Sequence, residues 1–163
     1  MFRARRPVAE TGIGPFCSLG HGRGVLGDDT FHLHERLAAD TVPVADLALC
    51  RVLLMRNALW PWLILVPRRP GAVEIHRLNA TDQALLMEEI AVASGVLERE
   101  FRPDKLNVGA LGNMVPQLHV HIIARTRADP AWPGPVWGSG HHRDYGAGEA
   151  EMLADRLAGL LGV

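Results

Sequence analysis

The feature that most constrains this chain is a strictly alternating segment in its second half. The segment runs Gln117-Leu118-His119-Val120-His121-Ile122-Ile123. A period of two predicts a β-strand, with Gln117, His119 and His121 on one face and apolar side chains turned into the core. Hydrogen-bonding side chains are costly to bury without partners, so that face must meet water, its own neighbours or a polar ligand.

Apolar runs and their breaks predict the remaining elements. In order, we expect a short helix at 31–40, a β-hairpin from the runs at 46–57 and 62–69, a long helix opened by Thr81 and ended before Pro103, a glycine-bearing segment at 105–116, the histidine strand at 117–125, and an amphipathic helix at 147–162. Thr81 is the expected N-cap and Asp82 suits the positive end of the helix dipole. The expected fold is α+β, with a small antiparallel sheet of about five strands, a long helix on one face and a C-terminal helix.

Length and charge exclude several classes of protein. The 163 residues suit one domain, and 48% hydrophobic with 21% charged residues is typical of a globular chain and excludes a disordered one. A net charge of −1 gives no general basic face for nucleic acid. No run approaches the ~20 apolar residues of a membrane helix. Cys17 and Cys50 form no metal or disulfide pattern, which fits a cytoplasmic location.

The first part of the chain differs from the rest. Residues 1–29 carry Arg, Gly and Pro without apolar periodicity. We expect them to be a disordered or misassigned N-terminal extension, and we expect residues 30–163 to form a single domain with a C-terminal tail.

A glycine- and amide-rich turn leads into the histidine strand. It contains Asn107, Gly112 and Asn113. Glycine lets backbone N–H groups approach an anion closely. A neutral imidazole beside such a turn can attack phosphorus, and nearby donors can stabilise the oxygens that gain charge.

These residue types fit three interpretations. The first is a nucleotide or phosphate site. The second is a metal site using His119 and His121, although zinc takes three or four protein ligands and only the loop residues 141–142 offer further histidines. The third is a solvated strand face.

Residues 107–125 resemble the signature of the histidine triad (HIT) superfamily of nucleotide hydrolases and transferases. That signature alternates three histidines with apolar residues, after a segment bearing an amide, Gly, Gln and Val. Gly112, Asn113 and Val115 match the Gly, Gln and Val, while Asn107 matches the upstream amide. The resemblance covers about residues 30–126.

The resemblance assigns roles to the histidine strand. It implies that His119, at the middle position, is the nucleophile that attacks the α-phosphate, and that His121 contacts the phosphate. Gln117 replaces the first histidine, and an amide carries no charge at neutral pH. Met114 stands where many members have a hydroxyl.

The resemblance also implies a nucleotide substrate, which would be a dinucleoside polyphosphate or a nucleoside phosphoramidate. A covalent nucleotidyl-histidine would form, with His121, Asn113 and Asn107 on phosphate oxygens and Gln117 orienting its neighbours. No cofactor is required, although a divalent metal can accompany the polyphosphate. A homodimer is expected, with no membrane or nucleic-acid partner. The alternatives are a non-catalytic nucleotide-binding regulator and a metal-binding protein.

Residues outside the signature give weaker indications. The hairpin resembles the family's hairpin, and this resemblance implies Asn57 at the nucleotide ribose and Trp62 or Leu54 at the base pocket. Trp132 and Trp137, among prolines, are expected either to cover a base or to pack on the domain, with packing favoured.

Overall fold

An antiparallel sheet forms the centre of the structure, with the strand order β1-β2-β3-β5-β4. The computed structural model describes residues 30–162, so the predicted extension at 1–29 lies outside the described residues. The strands are β1 (Thr41–Asp46), β2 (Cys50–Met55), β3 (Trp62–Pro67), β4 (Lys105–Gly109) and β5 (Val120–Arg125), and the helices are α1 (Glu35–Asp40), α2 (Ala80–Phe101) and α3 (Glu149–Leu161), with a 3₁₀ turn at Ile75–Arg77. The predicted α+β fold is confirmed.

Helices α2 and α3 cover one face of the sheet. The strands turn alternate side chains toward them, among them Leu63 and Leu65 of β3 and Ile122 of β5, all fully buried. Leu97 of α2 and Leu157 of α3 belong to the same core. Burial of each such side chain contributes roughly 2 kcal/mol to the stability of the fold. The larger of the two apolar clusters lies on this face.

Helix α2 begins slightly earlier than predicted. Asn79, not Thr81, is the N-cap, because its side chain accepts a hydrogen bond from the backbone N–H of Asp82 at 2.9 Å. The helix ends at Phe101, and Arg102 takes a left-handed conformation with φ of 47° before Pro103. The predicted end of the helix at Pro103 is therefore confirmed.

The opposite face of the sheet carries a second, smaller core. Trp62 and Ile64 of β3 and Ile123 of β5 point to this side. Leu37 of α1 and Val136 of the C-terminal tail cover part of it. Within residues 30–162 no long helix covers this face, and the cavity described below opens on it.

Two strands differ from the sequence prediction. The edge strand β1 was not predicted, because Pro43 interrupts its pattern, and the structure places a register shift between Pro43 and Ala45. Strand β5 begins at Val120, so the expectation that Gln117 and His119 belong to the strand is wrong. In the segment before Val120, the backbone N–H of Leu118 donates to the carbonyl oxygen of Ala72 at 2.8 Å.

Candidate functional site

His119 and His121 meet at the N-terminal end of β5, on the sheet face away from α2. Both side chains are more than nine-tenths buried. Their ring centroids lie 4.9 Å apart with the planes at 79°, an edge-to-face arrangement. The structure therefore brings together the two histidines that the alternating pattern singled out.

The hydrogen bond of His119 determines which of its nitrogens carries the proton. Its Nδ1 lies 2.6 Å from the backbone carbonyl oxygen of Gln117. A carbonyl oxygen only accepts, so Nδ1–H is the donor. In the neutral ring Nε2 then holds a free lone pair, which is the form a nucleophilic imidazole requires.

His121 has the opposite tautomer. The indole Nε1–H of Trp62 donates to Nδ1 of His121 at 3.0 Å, and an indole nitrogen can only donate. The proton of the neutral His121 ring is therefore on Nε2. Burial, assisted by the neighbouring His119, lowers the pKa of His121 to about 4, so this ring is a neutral hydrogen-bond donor at physiological pH.

Gln117 binds the chain segment that leads into α1. Its Oε1 accepts from the backbone N–H of His34 at 2.9 Å, and its Nε2 donates to the carbonyl oxygen of His32 at 2.8 Å. A carboxamide presents one acceptor and one donor side by side, which matches two backbone groups of an extended segment. Gln117 thus connects the backbone that holds His119 to the N-terminal segment of the domain.

A cavity of about 270 Å³ opens beside the two histidines. Its lining consists of Arg36, Leu37, Asp40, Thr41, Met55, Ile64, Leu111, Gly112, Asn113, Met114, Val115, His119 and His121. Arg36 and Asp40 form an exposed ion pair at 3.0 Å on this side of α1. An apolar wall with polar groups at one end is the usual composition of a small-molecule site.

The predicted phosphate loop supplies part of this lining. Gly112 has a φ of +71°, a conformation that side chains disfavour, and Asn113 follows it as an exposed residue. Met114 is 82% exposed, so its side chain is open to a ligand. The loop is therefore placed where the sequence predicted it, next to His119.

Asn107 and Asn57 lie elsewhere. The Oδ1 atom of Asn107 accepts from the guanidinium of Arg125 at 2.6 Å. Buried Asn57 accepts from the backbone of Leu59 and Arg143 and donates to the carbonyl oxygen of His141. Neither asparagine lines the cavity, so the prediction that they bind the nucleotide gains no support from this placement.

The tail contributes residues that the sequence did not reveal as a unit. Arg125 makes a buried two-point ion pair with Asp129, at 2.7 and 2.9 Å, and also donates to the carbonyl oxygen of Gly134. Trp137 packs edge-on to His121 with centroids 5.8 Å apart. This supports the packing alternative for Trp137. In the sequence, the only indication of this ion pair is an arginine at the end of a predicted strand with an aspartate four residues later.

Several polar and apolar residues outside the cavity lining contact the rest of the fold. Leu54 is buried on the helix-covered face, and Trp62 contacts His121 rather than lining the cavity, so Met55 and Ile64 form that wall instead. Arg68 donates to backbone carbonyls at the β1–β2 turn, and Arg69 pairs with Asp82 of α2. His76 is exposed on the 3₁₀ turn.

The described residues contain neither a cluster of metal ligands nor a membrane-spanning helix. Within residues 30–162, no group of three or more His, Cys, Asp or Glu side chains is placed to hold a metal ion. His142 of the predicted loop pairs instead with Asp144 at 2.8 Å. In the same part of the chain, no helix is both long and apolar enough to cross a bilayer.

Comparisons with known proteins show the family of the chain. The HIT domain family matches residues 36–128. A histidine triad protein from Bradyrhizobium japonicum is 48% identical, with a TM-score of 0.78, covering 81% of this chain and 98% of that chain. A second from Marinobacter aquaeolei VT8 is 48% identical, with a TM-score of 0.78, covering 82% and 97%.

A third solved structure, a histidine triad (HIT) protein from Sinorhizobium meliloti 1021, is 46% identical, with a TM-score of 0.76, covering 80% of this chain and 97% of that chain. No curated protein matched the sequence. The family match spans more than half of the chain, and it includes the loop, both histidines and Gln117. The chain belongs to the histidine triad (HIT) family.

Proposed function

We propose that this protein is a nucleotide-binding phosphohydrolase in which Nε2 of His119 attacks the α-phosphate of a dinucleoside polyphosphate or a nucleoside phosphoramidate. The bond from phosphorus to the leaving group breaks, and a covalent nucleotidyl-His119 forms. Water then attacks phosphorus, the electron pair returns to Nε2, and a nucleoside monophosphate leaves. The observation that carries the proposal is the Nδ1–H bond of His119 to the Gln117 carbonyl oxygen, because it leaves Nε2 free.

The surrounding groups have complementary roles in this proposal. His121 offers an Nε2–H to a phosphate oxygen, since its Nδ1 is occupied by Trp62. Gly112 and Asn113 bring backbone and amide donors to the same side of the cavity. Gln117 contributes through its backbone, which orients His119, and through its side chain, which holds the segment before α1. None of these roles requires a charged residue at position 117.

Turnover by matched histidine variants tests the proposal. The purified protein is offered a diadenosine polyphosphate and an adenosine phosphoramidate, and release of AMP is measured. His119→Asn should abolish AMP release and preserve most nucleotide binding. His76 is an exposed histidine on the 3₁₀ turn, so His76→Asn should leave AMP release unchanged. Normal turnover by His119→Asn would contradict the mechanism. Binding of AMP without turnover of either compound would favour a regulatory protein.

We also propose that the protein is a cytoplasmic homodimer. Met87 and Val92 on α2 and Val108 on β4 are 65%, 49% and 48% exposed. Among the strands of the described residues, β4 is the last in the sheet order and pairs on one side only, with β5. A second copy that covers such apolar groups would remove them from water. Light scattering on the purified protein should give twice the chain mass, and a concentration-independent monomer would contradict the dimer.

A further inference from the structure

We propose that Trp62 is a positioning residue that holds His121 as a neutral donor, and that the site therefore favours leaving groups that depart as anions over those that depart as amines. The inference rests on the proposed attack of His119 on a nucleotidyl phosphate. The proposed function includes both dinucleoside polyphosphates and nucleoside phosphoramidates as substrates, and this inference says which of the two is preferred.

The contact between Trp62 and His121 restricts what His121 can do. The indole N–H fills the acceptor position at Nδ1, 3.0 Å away, and both side chains are buried. A second proton on His121 would set two N–H groups against each other inside the protein, at the cost of the hydrogen bond. His121 can then donate a hydrogen bond from Nε2, but a neutral imidazole is too weak an acid to give that proton to a leaving group.

The other ionisable groups near the site do not replace His121 as a proton donor to the leaving group. Those lining the cavity in the described part of the chain are Arg36, Asp40 and His119, and Glu74 lines a niche of about 20 Å³ on another side of His119. Arg36 and Asp40 are paired with each other at 3.0 Å. Glu74 lies outside the lining of the cavity itself. His119 is itself the nucleophile.

The two substrate classes differ in what their leaving groups need. In both, the lone pair of His119 Nε2 forms a bond to phosphorus. In a phosphoric anhydride the P–O bond breaks, and its electron pair stays on a phosphate oxygen, which is stable as an anion. In an alkyl phosphoramidate the P–N bond breaks, and its electron pair goes to nitrogen, which must gain a proton to leave as an amine. General acid catalysis typically contributes 10²- to 10⁴-fold to such a step.

The first experiment compares kcat/KM for a diadenosine polyphosphate and for an alkylamine phosphoramidate of AMP. We expect the anhydride to be preferred by about 100-fold or more, the lower end of the general-acid contribution. Comparable values, or a preference for the phosphoramidate, would overturn the inference while leaving attack by His119 intact. AMP release from neither compound would instead refute the proposed function.

Two tryptophan variants separate the hydrogen bond from packing. Trp62→Phe removes the indole N–H, so the preference for the anhydride should fall by about tenfold or more, a part of the general-acid effect. Trp137→Phe is the matched control, because this indole also packs against His121 while its Nε1 has no hydrogen-bond partner among the described residues. It should leave the preference unchanged. An equal fall in both variants would mean that packing, not the hydrogen bond, sets the preference.

A spectroscopic measurement on the unmodified protein gives an independent answer if Trp62→Phe fails to fold. Nitrogen-15 NMR of the histidine side chains distinguishes protonated from unprotonated ring nitrogens. We expect His121 to show an unprotonated Nδ1 and a protonated Nε2 at neutral pH, and His119 to show the reverse. A protonated Nδ1 on His121 would overturn the inference.

Discussion

The side chain of Gln117 accepts from the backbone N–H of His34 at 2.9 Å and donates to the carbonyl oxygen of His32 at 2.8 Å. Gln117 therefore joins the backbone that holds His119 to the segment before α1. Because Arg36 and Leu37 of α1 line the cavity, this link also positions one cavity wall. The Gln117 side chain makes this link with an uncharged donor and an uncharged acceptor.

Gln117→Glu tests this link with little change in shape. The carboxylate keeps the acceptor for His34 but loses the donor to His32, and its charge repels the carbonyl oxygen. One lost hydrogen bond is worth about 0.5–1.5 kcal/mol, so KM should rise by up to about tenfold, with a smaller effect on kcat. Gln83→Glu, on α2, is the control, since it loses a comparable hydrogen bond to the carbonyl oxygen of Leu78, which precedes that helix. An equal KM in both variants would show that the link does not shape the site.

The depressed pKa of His121 predicts how stability depends on pH. Burial lowers its folded-state pKa from 6.5 to about 4, so between these values the unfolded chain binds more protons than the fold. The stability that comes from the neutral His121 ring is fully present above pH 6.5 and is lost as the pH falls toward 4. The free energy of unfolding, measured by denaturant titration, should fall by on the order of 3 kcal/mol over that range. His121→Asn should flatten this part of the profile, and an unaltered slope would contradict the burial effect.

Removing one partner of the Arg125–Asp129 ion pair should lower the free energy of unfolding far more than removing one partner of a surface pair with the same spacing. Both side chains are nearly inaccessible, with 1% and 4% of their side-chain areas exposed. Arg125→Met leaves the carboxylate of Asp129 buried and unpaired, which should cost about 3–5 kcal/mol. Arg36→Met breaks the exposed i,i+4 pair with Asp40 and should cost under about 1 kcal/mol. Similar free energies of unfolding for the two variants would refute the distinction.

Gly109 provides the space that Trp137 occupies beside His121. A Cβ at this position would lie 3.0 Å from the Trp137 ring. Gly109→Ala should therefore displace the ring and cost about 1–3 kcal/mol. Gly159→Ala is the control, since a Cβ there meets nothing within 4 Å and alanine favours a helix by up to about 1 kcal/mol. Equal melting temperatures for Gly109→Ala and the unmodified protein would contradict the close contact.

The parts that could be predicted from the sequence are those with a strong local pattern. Alternation identified His119 and His121, and a periodic apolar stripe identified α2, because burial on one side repeats with the period of the element. The end of α2 at Pro103 and the α+β fold followed from the same reasoning. Strand β1 did not, because Pro43 weakens the strand pattern and the sheet edge alone tolerates it.

The partners of the polar side chains could not be predicted, because they come from distant parts of the chain. Gln117 contacts residues 85 positions away, and Asn57 contacts the segment around His141, 84 positions away. Asn107 meets Arg125 only because β4 and β5 pair in the sheet. Spacing along the chain does not reveal such contacts, so the nucleotide roles expected for Asn57 and Asn107 rested on the family resemblance.

Trapping the covalent intermediate tests the central claim most directly. The protein is mixed with a diadenosine polyphosphate, quenched in alkali during turnover to preserve a phosphorus–nitrogen bond, and mapped by peptide mass spectrometry. We predict one nucleotidyl group on His119, absent from His119→Asn and present in His76→Asn. An adduct on His121 or another residue, or AMP release that persists in His119→Asn, would contradict the account.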